Sequence, residues 1–141
     1  NGSQFFIVQN KNAFSNDSDA SQYLLTMYMN KEVYEATKKL AEAQSAGKSE
    51  EEINQMIDSL NEDLNAKKAA GVPEDYAEKM EPVMAWYQKE GGTPYLDNKH
   101  TVFGYVFEGM DVIDKIAAVQ TGENDKPVQD VLINKVTIEE K

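Results

Sequence analysis

At 141 residues the chain is long enough for one ordinary domain, and 40% hydrophobic residues suffice to build a core. Its formal net charge of −11, from 25 acidic against 14 basic residues, repels polyanions and speaks against nucleic-acid binding. Cysteine is absent, which excludes disulfides and thiolate metal sites, and every basic residue apart from the single histidine is a lysine.

The chain opens with an Asn1-Gly2 turn followed by the run QFFIVQ, Gln4 to Gln9. Aromatic and β-branched residues packed this densely predict a strand buried on both faces, with Phe5, Phe6 and Ile7 in the core. Asn10 to Ser21 is rich in Asn, Asp and Ser and predicts a loop; the apolar stretch Tyr23 to Met29 fits a strand or a short helix equally. Asn1-Gly2-Ser3 and Asn16-Asp17-Ser18 match the glycosylation acceptor pattern. Asp17 and Asp19 begin like a calcium loop but lack the glycine and the closing glutamate at the required offsets.

From Asn30 the composition turns to Lys, Glu and Ala with apolar residues at helical spacing, and three helices are predicted. The first starts at an Asn30 cap, gathers Val33, Thr37, Leu40, Ala41 and Gln44 on one side, and ends at Gly47. The second has a Ser49/Glu52 capping box and a face of Ile53, Met56, Ile57, Leu60 and Leu64 ending at Gly71. The third starts at Pro73 with a stripe of Tyr76, Met80, Val83, Met84 and Tyr87, and Pro82 should kink or interrupt it. Trp86 and the methionines suit a bundle core, or else an adaptable client-binding surface.

After Gly91-Gly92 the β pattern returns, with strands predicted at Thr101 to Phe107 and Val131 to Glu139 and a short helix at Asp111 to Val119 behind Gly109.

Two stretches, NGSQFFI at Asn1 to Ile7 and TPYLDNKHTVFGYVFEGMDVIDKI at Thr93 to Ile116, together resemble the cyclophilin family of peptidyl-prolyl isomerases. The resemblance implies an α+β fold: the C-terminal part of an antiparallel cyclophilin-like β-barrel, at residues 1–9 and 93–141, interrupted by an inserted helical bundle at residues 10–92. It further implies that a substantial N-terminal part of the barrel precedes Asn1. Such a partial sheet has unpaired edges, and three outcomes are expected. Its strands exchange with a second copy into a dimer, or re-pair under the helices into a compact unit, or depend on preceding chain. Similarity to prolyl isomerases of Gram-positive bacteria leaves cytoplasm and cell-surface lipoprotein open as locations, with no membrane contact by this segment.

By the same resemblance Phe6 and Leu96 wall a proline pocket, and Gln4 and His100 are polar groove residues. Tyr95 stands where most members place a Trp, which weakens recognition of the family's macrocyclic inhibitor. No cofactor or metal is implied; the expected partners are proline-containing peptides or unfolded protein clients. The family's catalytic group is an arginine, which this chain does not contain. The expectation is therefore an isomerase whose segment shown here turns over little by itself. The alternative is a non-catalytic, chaperone-like binding module on a cyclophilin scaffold.

Overall fold

The computed structural model describes residues 4–140; the Asn1-Gly2 turn and the Asn1 acceptor site lie outside them. Four α-helices carry the architecture: α1 (Asp17–Ser45), α2 (Glu50–Ala70), α3 (Glu74–Glu90) and α4 (Met110–Ala117). Short 3-10 turns lie at Pro94–Leu96 and Glu123–Asp125. The chain divides into two units, one of Asn10–Phe103 and one of Asn1–Gln9 with Gly104–Lys141.

In the first unit α1 is the element on which α2, α3 and the Pro94–Leu96 turn pack. It starts far upstream of Asn30. The Asn16 side chain accepts a hydrogen bond from the Asp19 N–H, and Asp17 and Asp19 place negative charge in the first turn, where the helix dipole favours it. Of the polar run Asn10 to Ser21 expected to be a loop, the part up to Asn16 precedes the helix while Asp17 to Ser21 form its first turns, and Tyr23 to Met29 is their continuation. The packed face also differs from the expected one. Tyr28, Ala36 and Ala43 are buried and Glu32 and Leu40 half-buried, whereas Val33, Thr37, Ala41 and Gln44 are exposed. Alanine at 36 and 43 presents a low surface on which a second helix can lie close.

The turn into α2 is a Schellman motif: Lys48 N–H reaches the Ala43 carbonyl at 3.2 Å and Gly47 N–H the Gln44 carbonyl at 3.0 Å, with Gly47 at φ 74°. The Ser49/Glu52 capping box is present as expected. Ile53, Met56, Leu60 and Leu64 are half-buried, and Ile57 is exposed. Across the α1/α2 contact, Glu32 accepts from Lys67 at 2.7 Å, and Lys67 also pairs with Asp63 at 2.8 Å.

α3 continues through Pro82. Proline there removes one hydrogen bond and costs about 3 kcal/mol or more, but Tyr76, Met80, Met84 and Tyr87 are half-buried on one stripe, and tertiary packing rather than propensity sustains most helices. Trp86, expected in the bundle core, is 57% exposed and lies edge-on to Tyr87. Gly91 closes α3 at φ 81°, where a Cβ would run into the backbone of Asn10 and Lys11. The chain crosses itself there, with Gly92 N–H donating to the Asn10 carbonyl at 2.8 Å.

The expected α+β barrel portion is overturned. Among the described residues there is no strand, only one antiparallel bridge, Thr121 opposite Pro127. Gln4 to Gln9, Thr101 to Phe107 and Val131 to Glu139 form no ladder, and Phe5, Phe103, Phe107 and Ile138 are exposed rather than in a core. β-propensity describes a residue that fits a pleated, half-buried surface, and it cannot supply the neighbouring ladder that makes a strand stable. In the second unit α4 follows Gly109, which caps it at φ 87°, and the Gln9 amide donates to the Asp114 carboxylate at 2.6 Å.

Candidate functional site

Of the five residues singled out by sequence, Tyr95, Leu96 and His100 share one short segment of the first unit, whereas Gln4 and Phe6 belong to the second. Gln4 and Phe6 are both exposed on chain without regular secondary structure, Phe6 at 55%.

The segment from Thr93 to His100 is two consecutive turns. Leu96 N–H donates to the Thr93 carbonyl and Asp97 N–H to the Pro94 carbonyl, at 2.9 and 3.1 Å, closing the 3-10 turn over a fully buried Pro94. The Leu96 carbonyl then accepts from the N–H groups of Lys99 and His100, at 3.0 and 3.2 Å. Asp97 at φ −60°, ψ 137° and Asn98 at φ 60° make this a type II turn. Such a turn needs positive φ at its third residue, and asparagine tolerates that better than any other side-chain-bearing residue.

Side chains from the helices hold the pair of turns. The Asn30 amide on α1 donates to the carbonyls of Tyr95 and Asp97, at 3.0 and 2.9 Å. The Tyr87 hydroxyl on α3 lies 2.9 Å from each Asp97 carboxylate oxygen. The Tyr95 ring sits 5.7 Å from that of Tyr23, itself 5.8 Å from Phe14. Tyr95 keeps 41% of its surface exposed, Leu96 is half-buried, and His100 is exposed. Burial raises the Asp97 carboxyl above its ordinary range, with the Tyr87 hydrogen bond acting in the opposite sense. The Tyr87 hydroxyl is raised by burial and then by the carboxylate it donates to.

Behind the Asp97-Asn98 corner lies an open cleft of about 450 Å³ between α1 and α3, lined by Met27, Tyr28, Lys31, Glu32, Pro73, Asp75, Tyr76, Lys79, Met80, Asp97 and Asn98. Tyr28 and Tyr76 rings meet at 5.1 Å, and the Lys31 ammonium lies 5.7 Å above the Tyr76 ring while pairing with Glu32. Hydrogen bonds from Lys67 and then Lys31 hold the Glu32 carboxyl below its ordinary range. Among the described residues no group of three or more His, Asp or Glu is placed to hold a metal ion.

Sequence reasoning missed Asn30, Tyr87 and Asp97. Asn30 was expected to cap a helix and is instead an interior residue of α1. Its signal was a polar residue in line with the apolar stripe of Tyr23 and Met27.

The chain belongs to the cyclophilin-type peptidyl-prolyl cis-trans isomerases: the family model described as "Cyclophilin type peptidyl-prolyl cis-trans isomerase/CLD" matches residues 1–138. Individual relatives are similar over shorter stretches. A protein of Staphylococcus haemolyticus is 48% identical over 61 residues, 43% of this chain and 31% of its own length. Proteins of Staphylococcus epidermidis and Staphylococcus aureus are 47% and 43% identical over 60 residues, 43% of this chain and 30% of theirs. Each of these carries the name "Putative peptidyl-prolyl cis-trans isomerase". The chain thus spans about a third of the length of the curated relatives it matches. No solved structure matches it.

Proposed function

We propose that this chain supplies substrate-binding residues of a prolyl isomerase and engages proline-containing segments of protein clients through Tyr95, Leu96 and His100. The observation that carries this reading is the family match over residues 1–138. Rotation about an X-Pro bond faces a barrier of about 20 kcal/mol because the twisted amide loses its resonance. Catalysis needs no covalent step. It needs an apolar wall against the proline ring and hydrogen-bond donors that favour the twisted state over the planar one. Within the Tyr95–His100 segment Leu96 supplies an apolar wall, Tyr95 an aromatic edge with a hydroxyl, and His100 a polar contact.

The chain has no arginine to grip the swinging carbonyl, and lysine, a compact ammonium, is a poor replacement for a planar two-pronged donor. Turnover by these residues alone is accordingly slow. Exchange NMR with a short proline peptide tests both parts. Shifts at Tyr95, Leu96 and His100 with little acceleration are expected. Acceleration typical of a full enzyme would overturn the need for a guanidinium, and absence of any shift would overturn the binding role.

A second reading, a non-catalytic client-binding module, is favoured by the aromatic and methionine-lined cleft on the helices. It predicts that peptides with alanine in place of proline bind equally well and shift Tyr28 and Tyr76 rather than Tyr95.

A further inference from the structure

Residues of α1 and α3 determine the shape of the segment that carries Tyr95, Leu96 and His100. One amide, that of Asn30, donates to two carbonyls two residues apart, so a single side chain spans the junction between the 3-10 turn and the type II turn. Tyr87 grips the side chain at that junction, Asp97, from the opposite helix. Each helix thus contributes one neutral hydrogen-bond donor, and all the acceptors belong to the segment. Pro94 beneath is fully buried, which prevents the turn from sliding, while Tyr95 and His100 remain exposed above it.

We propose that Asn30 and Tyr87 are positioning residues for proline-peptide binding: they fix the Tyr95–His100 turns in a binding-competent shape, so that substrate affinity depends on the helical block. This rests on the binding role proposed above. Neither residue contacts the peptide. Their effect is to lower the conformational entropy that peptide binding would otherwise have to remove.

The test uses the 141-residue chain with Asn30→Asp, Asn30→Gln and Tyr87→Phe. Asn30→Asp is isosteric but turns an acceptor towards two carbonyls, whereas Asn30→Gln keeps the donor. Amide hydrogen exchange at Leu96, Asp97, Lys99 and His100 is expected to quicken about tenfold in Asn30→Asp and Tyr87→Phe, with α2 amides unchanged. Affinity for a short proline peptide, read from shifts at Tyr95 and His100, is expected to fall at least fivefold in the same two variants and to recover in part in Asn30→Gln. Unchanged exchange in both variants overturns the proposal, as does quickened exchange with unaltered affinity. If the peptide shifts none of these residues in the parent chain, the binding role fails and the positioning role with it, while the exchange rates still report whether the two donors hold the turns.

Discussion

Single residues in this chain matter most where the backbone has no alternative. Gly91 combines positive φ with a backbone crossing that leaves no room for a methyl group, so Gly91→Ala is expected to lower stability by more than about 2 kcal/mol. Urea denaturation checks this; a loss below 0.5 kcal/mol, on the order of a surface substitution, would show that the crossing can open at little cost. Asp97 makes the opposite kind of demand. Its carboxyl is raised by burial, so the folded chain binds a proton more readily than the unfolded one, and the cost of keeping Asp97 ionised is relieved as pH falls through the raised value towards the ordinary one. Tyr87→Phe removes the donor to the ionised form and should move the Asp97 midpoint further up, as followed by its side-chain carbon resonance. A midpoint that stays put would remove Tyr87 from the balance. Neither residue stood out in the sequence. Gly91 marked a helix end but gave no hint of the crossing strand of chain, and Asp97 was one polar residue of a turn whose neighbours lie on distant helices.

Among the elements, α2 was the most transparent from sequence because its signals are local: Ser49, Glu52 and a stripe at helical spacing. The Ser49 backbone N–H first, and then Lys48, hold the Glu52 carboxyl down at about 2. Its contribution is complete above the ordinary carboxylate range and is lost as pH falls through that range towards 2. Ser49→Ala should cost about 1 kcal/mol and fray the first turn of α2, visible as faster exchange at Glu52 and Ile53 with α1 unaffected; equal protection in both chains would contradict it. The start of α1 was opaque for an instructive reason. Asn, Ser and Asp favour loops and helix N-termini alike, because both offer side-chain oxygens a free N–H. Only the stripe of Tyr23, Leu24, Met27 and Tyr28 behind Asn16 separates the two cases. The β-rich segments failed more deeply, since a strand is a property of two chain segments and periodicity reports on one.

For the molecule as a whole, protection follows from where the backbone groups go. Amides in the interiors of α1, α2 and α3 are paired within the helices, whereas residues 101–107 and 131–138 form no ladder among the described residues. Hydrogen exchange is therefore expected to be slow in the helices and within about tenfold of unstructured peptide in those two stretches. Strong protection at residues 131–138 would mean that they pair with something, a second copy included. The family was readable from Asn1 to Ile7 and Thr93 to Ile116, short stretches whose chemistry is specific, while the architecture was not, because it depends on contacts between α1 and segments far away in sequence. The Schellman corner at Gly47 has a practical consequence. It lies twenty residues along α1 from Met27, about 30 Å at the helical rise; a Cβ at Gly47 would meet no neighbour, but its φ of 74° strains any residue with a side chain, whereas the adjoining Ala46 is exposed at φ −78°. A fluorophore or an affinity handle grafted at Ala46 would report on the molecule from a distance, leaving the turns that bear Tyr95 and His100 undisturbed.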